Sequence, residues 1–181
     1  MTVRVTVADP TTHRCDVLAV GVFSAPARLE GIAAKMDQAL GGHLARALQE
    51  ERFTAEVGKV LVLYTHGRLP AARIAAVGLG DRAGFTLDRL RIASGAVARA
   101  TQDRHLTRLA FPPLPLKEWE PAVIAAIRTE GALLGTYAFT KYRKDKGHDV
   151  NVDLLAANRA AATAVEGGRR RGQVVAEAVN Y

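Results

Sequence analysis

Apolar positions along the chain follow two periods. "VRVTVA" (3–8) steps by two with β-branched residues, and "DVLAVGVF" (16–23) is a near-continuous apolar run, as in a strand covered on both faces. "DPTTHR" between them reads as a turn. From Pro26 the period changes: Leu29, Ile32, Met36 and Leu40 step by three and four and give one apolar helix face. Gly41-Gly42 breaks that helix, and Leu44 and Leu48 continue a second, short one to about Phe53. Strands are predicted over 57–65 and 73–80, and a helix over 86–102 with Leu87, Leu90, Ala93 and Val97 on its buried side. A short strand at 106–111 is stopped by Pro112-Pro113. Glu118, Glu120 and Pro121 mark the start of a helix reaching about residue 138, because carboxylates favour the positive end of the dipole and proline is tolerated in a first turn. A last strand is expected over 149–157. After a polar joint, "GGRRRGQVVAEAVNY" begins a final helix.

The resulting order, β-β-α-α-β-β-α-β-α-β-α, predicts an α/β protein: a three-layer α/β/α sandwich with a mixed sheet. The 181 residues suffice for one domain with a sizeable core, and neither an internal repeat nor a low-complexity linker divides them.

Composition narrows the class. About half the residues are hydrophobic and 24% are charged, the balance of a globular protein rather than a disordered one. No apolar run reaches the ~18 residues that span a bilayer, so no membrane partner is expected. The start, "MTVRVTVADPTTHR", lacks the basic and apolar regions of a signal peptide. A single cysteine, Cys15, excludes an internal disulfide framework and any multi-cysteine metal site, which fits a reducing cytoplasm. The net charge of +7 favours a polyanionic partner, although abundant arginine and alanine also follow from a GC-rich genome.

Candidate chemistry is sparse. His13, His43, His66, His105 and His148 are scattered, with no H-E-x-x-H pair; His13 and Cys15 read as a surface imidazole beside a buried thiol. Ser24 and Ser94 are the only serines and neither sits in a nucleophile elbow. Asp149 and Asp153 fall on one face of the last predicted strand without a partner base. "GLGDRAG" (78–84) follows a strand and precedes a helix. Its Gly78, Gly80 and Gly84 could expose backbone N–H groups to a phosphate, or simply make a tight turn. Two basic groups, Lys141, Arg143, Lys144 and Lys146, then Arg169, Arg170 and Arg171, could contact nucleic acid or phosphate, the first with Tyr137, Phe139 and Tyr142 as stacking platforms. Alternatively they are cations at a helix end and a solvated run at an exposed joint. No residue is singled out as catalytic or as a metal ligand.

One stretch remains, "EGALLGTYAFTKYR" (130–143). Ile124, Ile127, Gly131 and Leu134 lie on the buried helix face, so Gly131 and Gly135 make a groove without side chains where another backbone approaches closely, with a sheet as the expected neighbour. This segment resembles the signature that ends the N-terminal domain of the leucine (cytosol) aminopeptidases: glutamate-glycine, a second glycine, then tyrosine, phenylalanine, tyrosine. "MDQALGGHLARALQEERFTAEVGKVLVL", "RIAAVGLGDRAGFTLDRLRIASGAVARA" and "GQVVAEAVNY" are similar to further family segments in the same order, so the resemblance covers nearly the whole chain.

The resemblance implies a macro-domain-like fold over residues 1–160 and a linker helix over 161–181, leading toward a catalytic domain that this sequence does not include. It implies that the parent enzyme is a cytoplasmic metalloexopeptidase releasing N-terminal amino acids, with two divalent metals (Mn or Zn) in that missing domain. Residues 1–181 would be non-catalytic and serve architecture and packing of a homo-oligomer, a hexamer, with DNA a possible further partner. The alternatives are a nucleic-acid-binding module and a nucleotide- or ADP-ribose-binding macro-like domain.

Overall fold

Strand β2 (Val17–Val22) accounts for the continuous apolar run. Val17 and Ala19 pack into one core, and Leu18 and Val20 into a second core on the opposite face of the sheet. Each of the valine and leucine side chains contributes roughly 1.5–3 kcal/mol of burial, so both faces of this strand must be covered. In the computed structural model, which describes residues 1–24, 29–137 and 149–179, the remaining strands are β1 (Thr2–Val7), β3 (Val60–Tyr64), β4 (Arg73–Gly78), β5 (Arg108–Phe111) and β6 (Asn151–Ala156). The helices are α1 (Gly31–Ala39), α2 (His43–Glu50), α3 (Leu87–Asp103), α4 (Pro121–Thr136) and α5 (Arg159–Val179). The sheet runs β1-β6-β5-β2-β4-β3; β3 is antiparallel to β4 and all other neighbours are parallel. Helices α1 and α2 cover one face through Ala33, Met36 and Leu44, while α3, α4 and α5 cover the other through Val97, Ile124 and Val165. The predicted three-layer α/β/α architecture with a mixed sheet is therefore the one observed.

Local signals explain several boundaries. Gly41 and Gly42 adopt φ of 64° and 80°, in the left-handed region, and separate α1 from α2. Thr86 caps α3 by accepting a hydrogen bond from the Arg89 amide at 3.3 Å. Pro121 opens α4, where its missing N–H costs nothing.

Three expectations are corrected. The last helix begins at Arg159, eight positions before Gly167, so Arg169, Arg170 and Arg171 lie inside a helix and not at a joint. Gly131 and Gly135 meet a helix and not the sheet: a Cβ on Gly131 would lie 2.3 Å from the Arg91 carbonyl oxygen of α3, and one on Gly135 would lie 2.4 Å from Gly95 Cα. The same device joins α4 to α5. A Cβ on Gly168 would lie 2.0 Å from the Ala122 oxygen, and one on Gly172 would lie 2.1 Å from the Ala126 oxygen. Residues 122 and 131 are nine apart, which turns them about 180° around the helix, so α4 is clasped on opposite sides. Finally, Asp149 precedes β6 and pairs with the N-terminal amine at 3.1 Å, whereas Asp153 is buried within β6.

The connections set up one further feature. From β2 the chain passes to α1 on one face; from the adjacent β5 it passes to α4 on the other. The loops diverge at the carboxyl ends of these two strands, the position where open α/β sheets leave a crevice.

Candidate functional site

The crevice is present as a cavity of about 110 Å³. Its walls are residues 20–23 at the end of β2, residues 29–33 at the start of α1, the proline-rich segment 112–116 after β5, and the side chains of Arg82 and Arg128. Val22, Phe23 and Leu29 also line a second groove of about 750 Å³ that continues between α1, α2 and residues 53–55. An edge-on aromatic ladder stands beside the crevice: Phe23 and Phe85 are 5.4 Å apart and Phe85 and Trp119 are 5.5 Å apart.

Arg128 is the chemically distinctive residue. It is 7% exposed, projects from α4, and donates through Nη1 to the Pro112 carbonyl. Its guanidinium carbon lies 5.2 Å from the centroid of the Phe111 ring. Its Nε is buried without a hydrogen-bond partner, and no carboxylate pairs with it among the described residues. Burial alone pulls this guanidinium down to about 10, so it remains charged at neutral pH. An uncompensated buried charge costs on the order of several kcal/mol.

At the mouth, Glu30 accepts from Arg82 Nη1 at 2.8 Å, and Arg82 also lies over the Phe23 ring at 5.0 Å. Glu30 stands at the N-cap of α1 but makes no side-chain cap, and the first turn of α1 carries no acidic residue. Ala33 and Ala34 donate to the Glu30 carbonyl, whereas the Gly31 and Ile32 amides find no acceptor among the described residues.

Residues 78–84, open to reading as a phosphate cradle or a tight turn, pack closely on their neighbours. The amides of Gly78, Leu79 and Gly80 donate to Lys59, Val22 and Ala55 carbonyls at 2.9 Å each, so none of the three is available to a phosphate. A Cβ on Gly78 would lie 2.0 Å from the Glu56 oxygen, and one on Gly84 would lie 3.1 Å from Arg89 Nη1. Gly78, Gly80 and Gly84 are thus where this loop packs tightly on its neighbours.

Of the basic candidates, Arg169, Arg170 and Arg171 lie among the described residues. Lys141, Arg143 and Lys144, with Phe139 and Tyr142, lie outside the described residues; Tyr137 is half exposed. Arg169 grips Glu166 through two nitrogens, at 2.8 and 2.7 Å, and donates to Gln173 at 2.6 Å; Arg170 adds a bond to Glu166 at 2.9 Å. The Arg169 and Arg170 guanidiniums hold the Glu166 carboxyl down at about 2. Two of the three arginines therefore spend their charge within the helix, and Arg171 remains as an exposed cation.

A second polar cluster was missed by sequence reasoning. Asp153 has a side chain 3% exposed and binds Arg4 from the neighbouring strand, with His13 Nε2 at 3.0 Å from its other oxygen. Burial opposes the charge on Asp153, but the bonds from Arg4 and His13 outweigh it and hold its carboxyl below the usual range. His13 is accordingly not a surface imidazole: its side chain is 10% exposed. The registry of β1 against β6, which sets Arg4 opposite Asp153, is not visible in either segment alone. Cys15 is buried as expected, and burial pushes its thiol up to about 12. Among the described residues no group of three or more His, Cys, Asp or Glu side chains could hold a metal ion.

Comparison with known proteins places this geometry. Residues 19–146 match the family model described as the cytosol aminopeptidase family, N-terminal domain. A probable cytosol aminopeptidase of Geobacter sulfurreducens is 36% identical over 155 residues, covering 86% of this chain and 31% of the relative. Another from Geotalea uraniireducens is 35% identical over 175 residues, covering 94% and 34%. The chain thus spans about a third of the length of these relatives. Among solved structures, a tomato leucine aminopeptidase mutant superposes with a TM-score of 0.80 at 19% identity, covering 99% of this chain and 36% of that one. An Oceanobacillus iheyensis macrodomain solved with ADP superposes with a TM-score of 0.69 at 15% identity, covering 96% and 91%, which extends the likeness of fold to macrodomains. The chain belongs to the cytosol aminopeptidase family, whose N-terminal domain it matches.

Proposed function

We propose that this chain is the non-catalytic N-terminal domain of a two-metal aminopeptidase that releases N-terminal amino acids from peptides in the cytoplasm. The observation that carries the reading is the match of residues 19–146 to the N-terminal domain of the family, in a chain spanning about a third of its relatives. Manganese or zinc would be held by the remaining two-thirds of such a protein, and would supply Lewis-acid activation of water and of the scissile carbonyl there. The role of this domain is architectural, in contacts with the catalytic domain and between subunits of a homo-oligomer, a hexamer on the family pattern. Val174, Val175 and Val179 support that role: they are 66%, 45% and 65% exposed near the end of α5, an apolar strip suited to contact with another domain or subunit. The test is an assay of the purified 181-residue chain on a leucyl anilide with manganese or zinc. No turnover is expected; turnover that survives repurification sinks the reading.

DNA contact is a second reading, supported by the net charge of +7. The engagement of Arg169 and Arg170 by Glu166 weighs against the α5 arginines as its seat. Failure to shift labelled duplex DNA at low salt removes it.

A further inference from the structure

The crevice between β2 and β5 combines three features that each favour an anion. Arg128 lines it, more than nine-tenths buried, with Nε unpartnered and no neutralising carboxylate among the described residues. The α1 N-terminus opens onto it; among the described residues the Gly31 and Ile32 amides have no acceptor, the first turn holds no acid, and nothing lies within 4 Å of a Cβ built on Gly31. The site also lies where the loops of two adjacent parallel strands part. One negative group, Glu30, shares the wall, but Arg82 engages it at 2.8 Å. Arg128, Arg82 and Glu30 together leave one positive charge facing a partly enclosed cavity, where a fixed charge acts more strongly than in water.

We propose that this crevice binds the oxyanion of a small ligand, a phosphoryl or carboxylate group, between Arg128 and the amides of Gly31 and Ile32. The oxyanion satisfies the charge that the fold leaves buried, and it caps α1 where Glu30 does not. The 110 Å³ space suits a single such group. The adjoining groove past Phe23 and Leu29 takes the rest of the ligand, and Asp37 on its wall disfavours a second anionic group there. The proposal is independent of the peptidase reading, since it concerns residues of this chain alone.

The structural alternative is that Arg128 only pins the proline-rich segment through Pro112. Amide spectra of the ¹⁵N-labelled chain separate the two. Inorganic phosphate and acetate are titrated in turn, with chloride holding the ionic strength. Saturable shifts at the Gly31 and Ile32 amides are expected with one of them; a response to phosphate alone assigns a phosphoryl ligand, and a response to acetate alone a carboxylate. Arg128→Met should weaken binding at least tenfold and leave a folded protein, since it removes an uncompensated charge and keeps the bulk. Should that variant not fold, Glu30→Gln on the surface is expected to tighten binding two- to threefold and Arg82→Gln to weaken it by as much. No saturable shift at Gly31 and Ile32 with either anion overturns the proposal. So do shifts confined to exposed arginines such as Arg171, or affinities unchanged in the variants.

Discussion

Gly135 of α4 faces Gly95 of α3 with no side chain between them: a Cβ built on Gly135 would lie 2.4 Å from Gly95 Cα and 2.5 Å from its carbonyl oxygen. Beside this seam Arg91 reaches across to Glu130 at 2.7 Å, and a Cβ on Gly131 would meet the Arg91 oxygen at 2.3 Å. The segment 130–135 is thus a helix-to-helix clasp. Because the obstructing atoms are backbone, they cannot step aside as a flexible side chain does. Gly135→Ala is expected to cost about 3 kcal/mol despite alanine's better helix propensity. Urea denaturation measures it; a neutral or stabilised variant would show that α3 and α4 separate freely.

Gly167 and Gly168 are adjacent in α5 and should respond in opposite directions. Among the described residues a Cβ on Gly167 meets nothing within 4 Å, whereas one on Gly168 would lie 2.0 Å from the Ala122 oxygen. Gly167→Ala is expected to stabilise by about 0.5–1 kcal/mol through helix propensity and a less free unfolded chain. Gly168→Ala is expected to destabilise by roughly 2–3 kcal/mol. Thermal melts of the two single variants give the comparison directly.

Asp153 gives the fold an acid-sensitive clamp between β1 and β6. Its folded carboxyl lies below the ordinary value near 3.9, which applies to the unfolded chain. The stabilisation is therefore complete above about pH 4 and is lost as pH falls through the folded value. Asp153→Asn is expected to cost about 2 kcal/mol at pH 7, a figure reduced because Arg4 is 60% exposed. Stability curves for the two proteins should converge toward pH 2. Curves that stay parallel throughout would mean that the carboxylate charge contributes nothing.

Cys15 should be chemically silent in the native state. It is 3% exposed and burial holds its thiol near 12, so thiolate is scarce at pH 8. Reaction with a disulfide reagent is expected to run at least about 100-fold slower than for a free thiol, and to accelerate in denaturant. Fast labelling of the folded protein would place the thiol at the surface.

The sequence carried the layers well because both faces of the central strands are apolar and the helix stripes keep one period. It misplaced the start of α5 because Gly167-Gly168 has the composition of a joint, and only the nearness of Ala122 reveals Gly168 as a contact. The likeness to aminopeptidase N-terminal domains was legible in ordered local segments. Arg128 was not, since an arginine two positions before Glu130 in α4 reads as a surface charge and gives no hint that it is buried without a counter-charge. The Arg4–Asp153–His13 cluster joins residues about 140 to 149 positions apart and depends on strand registry, which no local pattern encodes.

The two helix layers have unequal cohesion. Glycines bring α3, α4 and α5 into backbone contact, whereas α1 and α2 touch each other far less. Amide hydrogen exchange should therefore divide the molecule into two clocks. The three clasped helices would open only with global unfolding, while α1, α2 and their double-glycine hinge exchange through smaller, cheaper openings. Since α1 also walls the crevice, that face can adjust to a ligand while the opposite layer keeps its shape.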